Sequence, residues 1–273
     1  MPSNAHAIRS PAVAGLFYPG SATELALTVA ELLAAAPATA DHRLPKAIIA
    51  PHAGYVYSGA TAARVYALLR PLQGRIRRVV LLGPTHRVAV RGIAAPAAQH
   101  FRTPLGDITL DTASIAALHD LPQMVASDAA HAQEHSLEVH LPFLQTVLGD
   151  FMLVPLAVGD ASPAEVAQVL RRLWGGDETL IVISSDLSHF HRYAAAQALD
   201  RATADAILQL RTDLEPEQAC GALPVNGLNL LARELGLHPA LIDLCNSGDT
   251  CGDKSRVVGY AAFAYYETAR HEH

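Results

Sequence analysis

The chain has 273 residues, 51% hydrophobic and 17% charged, with a formal net charge of −6 and 14 histidines. That apolar fraction excludes a disordered chain and suits one large α/β domain with a buried core. The acidic balance, with no basic stripe interleaved with aromatics, argues against a nucleic-acid binder.

The opening MPSNAHAIRSPAVAG lacks the charged-then-apolar profile of a secretion signal, and no run approaches a membrane span. A cytoplasmic protein without membrane contact is the expectation. Residues 22–36 read as a helix, followed by the strand KAIIA at 46–50. A second helix is expected over 59–70, opened by Ser58-Gly59, and then the strand RRVVLLG at 77–83. Residues 88–110 contain breakers and short alternating pieces and predict a β-rich insertion. In 134–148, EHSLEVHLPFLQTVL, Ser136 is placed to cap a helix, with Leu137, Leu141, Leu144 and Leu148 on one apolar face. FMLVPLAV (151–158), TLIVISS (179–185) and RVVGYAAFAYY (256–266) complete the strands. Helices are expected at 162–174, after Ser162-Pro163, and at 194–210 and 224–235. Alternating apolar strands and helices imply βαβ units, and so a single α/β domain with a mainly parallel central sheet flanked by helices.

The ends of three strands share a chemistry. KAIIA runs into Pro51-His52, RRVVLLG into Pro84-Thr85-His86, and TLIVISS into Asp186 and His189. In a parallel sheet such turns emerge together at the carboxyl edge, where open α/β folds build their sites. His52, His86 and His189 can therefore converge, and neutral imidazole is the commonest ligand for zinc, iron and copper. Asp186 orients one of these histidines or binds the metal itself. One loop histidine alone would read as a surface group; three after buried strands point to a metal. His191 reads as bland, since His189 lies nearer its strand. His6, His42, His119, His238, His271 and His273 also lack a supporting context.

In the 134–148 segment, His135 and His140 are the acid/base candidates near a substrate, and Glu134 and Glu138 are candidate partners for a metal-bound histidine. The competing reading is that these groups cap the helix and bond one another. The order E-H-S-L-E-V-H does not match a zinc-protease HExxH. Cys220, Cys245 and Cys251 form no CxxC pair and leave an odd count, which fits neither a disulfide framework nor a cysteine-rich zinc site. Cys245 ends an apolar run and reads as core. Cys251 lies in the turn-rich stretch CNSGDTCGDKSRVVGY, where its thiol is placed to reach a metal or substrate, or is incidental to a structural turn.

Taken in order, PHAGYVYSG, LLGPTH, EHSLEVHLPFLQ, ISSDLSH and NSGDTCGDKSRVVGYAA resemble the Memo family, including bacterial members called AmmeMemoRadiSam system protein B. SPAVAGLFYPG and CGALPVNGL also fit, and the resemblance spans residues 9–267. It implies a fold related to the LigB-type class III extradiol dioxygenases, which are non-haem iron enzymes. It further implies a metal pocket at His52, His86 and His189 with Asp186 beside them, loaded with Fe(II), with copper or zinc as alternatives. In animal members a cysteine of the last loop joins this pocket; Cys251 falls at or one residue from that position, and Asp249 is the alternative occupant.

Three functions follow as expectations. One is an iron- or copper-dependent redox enzyme acting on a small molecule. Another is a module that recognises a peptide or protein through the same cleft without turnover. The third is a metal carrier or scaffold working with a radical-SAM protein and an AMMECR1-type protein.

Overall fold

The computed structural model describes residues 8–37 and 43–268. His6, His42, His271 and His273 lie outside the described residues. The strands, in chain order, are β1 (Ile8–Arg9), β2 (Ala47–Ala50), β3 (Arg78–Pro84), β4 (Ile93–Ala95), β5 (His100–Thr103) and β6 (Gly106–Thr109). They continue with β7 (Met124–Ala126), β8 (Met152–Val158), β9 (Thr179–Ser184), β10 (His189–His191), β11 (His238–Asn246) and β12 (Val257–Tyr266). Helices α1 (Ala22–Ala35), α2 (Tyr55–Ala67), α3 (Thr112–Ala116), α4 (Asp128–Ala132) and α5 (Leu141–Leu148) are followed by α6 (Pro163–Leu173), α7 (Tyr193–Leu208), α8 (Ala222–Leu235) and α9 (Ser247–Thr250).

Nine strands form one sheet in the order β10-β12-β2-β9-β3-β8-β4-β7, with β11 paired to β12. Its centre, β2-β9-β3-β8, is parallel. These strands are almost wholly buried, which is why they read as continuous apolar runs rather than alternating ones. The flanks are antiparallel: β12 against β2, β11 and β10, and β4 against β8. The sheet is therefore mixed rather than mainly parallel throughout. β11 and β12 are joined by a short connection, and only an antiparallel pair can be closed over so few residues. Residues 88–110 supply β4, β5 and β6; β5 and β6 join β1 in a separate three-stranded sheet.

Local expectations for the helices are met where a cap exists. Ser162 accepts from the Glu165 backbone N–H while Glu165 returns to the Ser162 N–H, a reciprocal capping box at the start of α6. Ser136 caps nothing: its hydroxyl donates to the Pro84 carbonyl at 2.8 Å, and residues 138–140 form a 3-10 turn ahead of α5. Likewise α2 begins at Tyr55, three residues before Ser58.

Glu138 ties down the amino-terminal segment. Its buried carboxylate accepts from Ala12 N at 2.7 Å, Val13 N at 3.0 Å and the Tyr18 hydroxyl at 2.5 Å, and pairs with Arg9. Four donors on one carboxylate compensate for its removal from water. The consequence for the site is positional: the clamp sets Phe17 against His135, with ring centres 4.8 Å apart.

Candidate metal centre

Because β9 lies between β2 and β3 and runs parallel to both, the turns after these three strands open side by side. β12 runs the other way beside β2, so its first residues reach the same edge. Two glycines permit the close packing there. A Cβ at Gly83 would lie 2.9 Å from the Ser136 hydroxyl and 3.0 Å from Ser184 Cβ, and one at Gly221 would lie 2.4 Å from the Ser184 carbonyl.

Three imidazoles meet at this edge. The rings of His52 and His86 are 5.2 Å apart edge-on, His52 and His135 5.5 Å apart edge-on, and His86 and His135 stack at 4.7 Å. His52 is buried, while the His86 side chain keeps 28% of its exposure.

The hydrogen bonds assign the tautomers. The Ser184 hydroxyl has one proton, and it donates to the Ser136 carbonyl at 2.6 Å. In its 2.6 Å contact with His52 Nδ1 it must therefore accept, so His52 carries its proton on Nδ1 and leaves Nε2 bare. His86 Nδ1 donates to Glu134 Oε1 at 2.9 Å, which likewise frees its Nε2. Burial pushes Glu134 upward, but the bonds from the His86 side chain and backbone and from Ser136 N outweigh it and hold the carboxyl at about 2. A carboxylate behind Nδ1 is the arrangement that orients metal-binding histidines.

Cys220, which the sequence reading did not single out as a ligand, completes this group. Its sulfur is 3.4 Å from His52 Nε2 and accepts from Asp186 N at 3.3 Å. One donor atom each from His52, His86 and Cys220 lie within 4.8 Å of one another. A second set, His86, Glu134 and His135, meets the same distance. In that set Glu134 is already engaged by four N–H donors, from His86 Nδ1 and the backbones of His86, His135 and Ser136. It therefore reads as the cradle of the site. The first set offers two bare Nε2 atoms and a thiol and fits a soft or borderline metal such as iron, copper or zinc.

Asp186 sits beside His52 on the cavity side, with Oδ2 4.0 Å from Nε2 and Oδ1 accepting from His52 N at 2.8 Å. Burial raises it to about 7, against the opposing effect of the His52 N–H bond. Burial likewise lowers His135 to about 4, although Glu134 pulls the other way. Burial and the neighbouring histidines push His52 well below the ordinary imidazole range. His135 and Asp186 line a cavity of about 420 Å3, together with Phe17, Tyr57, His189, Cys251, Val258 and Tyr260 among others. That volume is of small-molecule size. A slightly larger hollow, about 460 Å3, lies at the amino-terminal end of β3 and β8 and contains no histidine or cysteine.

The structure thus groups His135 with His52 and His86, and sets His189 on the cavity wall in β10, opposite Val258. Among the described residues His189 joins no set of three donors within 4.8 Å. Cys251 also lines the cavity, its thiol donating to the Ser247 carbonyl at 2.8 Å. Asp249 caps the β11–α9 turn, accepting from Asn246 N at 3.0 Å, and does not line the cavity. His140 is not at the cavity either: it is buried, with Nδ1 2.8 Å from the Tyr66 hydroxyl. A group so enclosed has no contact through which to exchange a proton with a bound substrate.

Comparison with known proteins agrees with this architecture. Residues 9–264 match the family model for Memo-like protein. The chain belongs to the Memo family. A MEMO1 family protein of Aquifex aeolicus is 36% identical over 272 residues, covering 94% of this chain and 99% of that protein. The MEMO1 family protein TV1383 of Thermoplasma volcanium is 32% identical over 267 residues, covering 93% and 97%. Among solved structures, an uncharacterized protein, JW3007, from Escherichia coli K12 superposes with a TM-score of 0.52 at 14% identity, covering 81% of this chain and 99% of that one. That likeness concerns the α/β fold alone. No helix among the described residues is long and apolar enough to cross a membrane.

Proposed function

We propose that this Memo-family chain is a metal-dependent oxidoreductase of the non-haem iron type, with copper as the alternative redox metal, acting on a small molecule in the 420 Å3 cavity. The observation that carries the reading is the pair of fixed tautomers: His52 and His86 each have Nδ1 tied to an oxygen and Nε2 bare, beside the Cys220 sulfur. In this reading His52 and His86 hold the ion, and Cys220 or the wall residue His189 completes its donors. A bound iron would supply electron transfer and Lewis acidity. The chain's own groups supply the rest. His135, neutral at physiological pH, accepts a proton from a substrate bound against Phe17. Asp186 fixes the His52 backbone and holds or yields a proton near neutrality. Phe17, Tyr57 and Val258 keep water from the substrate's apolar body. Anaerobic loading with Fe(II), elemental analysis, and oxygen uptake with catechol-like compounds test the reading. A wild-type chain that retains no metal at neutral pH sinks it.

A second reading has its own observation. Leu16, Val56, Tyr57 and Phe190 are large, exposed and apolar, and each lines the cavity or adjoins a residue that does. Such a rim suits a module that docks a peptide or protein, or the assembly with radical-SAM and AMMECR1-type proteins. Co-purification with such a partner, retained after His52→Ala plus His86→Ala, favours it over the enzyme.

A further inference from the structure

The side of β12 that enters the cavity ends in a charge that neither reading uses. In RVVGY the two-residue period of β12 places Val258 and Tyr260 on one side, and Arg256, in the bend just before the strand, lines the cavity with them. Tyr260 is innermost. Burial first, and then Asp186 and Cys245, hold its phenol far above the ordinary range, so it stays a neutral O–H donor. Val258 forms apolar wall. Arg256 is outermost and exposed, and it makes no ion pair among the described residues. Asp253, also on the rim, is turned back on its own loop, accepting from Ser255 N at 2.9 Å.

The guanidinium of Arg256 does have a platform. It lies 4.9 Å from the ring centre of Phe190, whose backbone sits at φ +64°. A bulky aromatic residue rarely adopts that left-handed conformation, and strain of this kind collects at ligand sites. Here it turns an exposed ring under the cation at the cavity mouth, limiting the rotamers the guanidinium loses on binding.

We propose that Arg256 is the anion anchor of the cleft and that the ligand is a small aromatic carboxylate. Its carboxylate meets the guanidinium, its ring lies between Phe17, Tyr57 and Val258, and an oxygen substituent points at the Tyr260 hydroxyl and His135. One guanidinium fork matches a carboxylate edge-on. Arg256 at the rim and Tyr260 at the inner wall both line the one cavity, so a ring bearing a short acid chain can reach from one to the other. The proposal rests on the cleft being a small-molecule site, and it does not depend on which metal is bound.

The test uses metal-free full chain and two probes, para-hydroxyphenylpropionate and its primary amide, with affinities from ligand-observed NMR. The acid is expected to bind at least about tenfold more tightly than the amide, the worth of one charge-assisted bond. Arg256→Gln should bring the acid down to the amide's affinity and leave the amide unchanged, while Arg256→Lys keeps part of the preference. Equal affinity for the two probes, or binding of neither at millimolar concentration, overturns the proposal. So does an acid preference that survives Arg256→Gln, which would place the carboxylate on the histidines. Iron loading of the same Arg256→Gln preparation should equal wild type. A chain that binds the acid through Arg256 but loads no iron separates failure of the metal reading from failure of this one.

Discussion

At the floor of the cleft, His52 and His86 each have Nδ1 tied to an oxygen, on Ser184 or Glu134, whose other partners are backbone groups of neighbouring turns. At the lip, residues 251–256 are all exposed, and Cys251 and Asp253 bond only within their own loop. The floor is held by contacts between segments 48 to 168 residues apart. The lip is one short connection between β11 and β12. A floor of that kind fixes which atoms face a metal, whereas a lip of that kind can change its ligand preference without disturbing the sheet. Metal retention should therefore depend on the floor, and substrate discrimination on the lip.

The sharpest way to break this contrast is to strip the floor. His52→Ala plus His86→Ala should abolish iron retention in elemental analysis while the far-ultraviolet circular dichroism stays as in wild type. Retention of a stoichiometric ion by that variant would place the metal elsewhere.

The next effect concerns the clamp beneath the floor. Glu138→Ala leaves Arg9 buried without its partner, and a loss of about 3–5 kcal/mol is expected in urea unfolding. A midpoint unchanged from wild type would show that the amino-terminal segment is not clamped through this carboxylate.

Glu134→Gln separates orientation from ligation. The amide oxygen can still accept from His86 Nδ1, but the partner is neutral and the amide NH2 faces a backbone N–H, so some stability is lost. In a variant that circular dichroism shows to be folded, iron affinity should drop roughly 10–100-fold. Complete loss of binding would instead make Glu134 a ligand.

Acid should test the buried histidines. Burial lowers His140 to about 3 and His131 to about 4, from an ordinary value of 6.5. Below pH 6.5 the unfolded chain binds protons that the folded chain refuses. Stability is thus fully present above pH 6.5 and falls as pH drops toward about 4, by roughly 1.4 kcal/mol per pH unit for each such group. Thermal melts of metal-free protein that are flat from neutral pH to mild acid would contradict this.

The smallest effect is expected at the lip. Cys251→Ser should change iron affinity less than about tenfold, because the thiol is bonded to Ser247 and lies outside the donor set. A loss as large as that of Glu134→Gln would bring the lip into the metal site and erase the contrast.

Two carboxylates four residues apart show what each level of description can reach. From EHSLEVH, Glu134 and Glu138 were equivalent candidates for supporting a histidine; the fold gives His86 to one and the amino-terminal segment to the other. The fold also decides how near each histidine comes: His135 stacks on His86, and His189 stands on the cavity wall. Cys220 carried no local signal, since it reaches His52 across 168 residues only because Gly221 lets its turn press on the end of β9. By itself the sequence determined the buried strands and the placing of His52, His86, Asp186 and His189 just beyond their ends. An apolar run and the breaker that stops it are local properties of the chain. The tertiary structure alone decided the antiparallel flanks, the tautomers and the third donor, because each depends on which distant segment packs against a strand end.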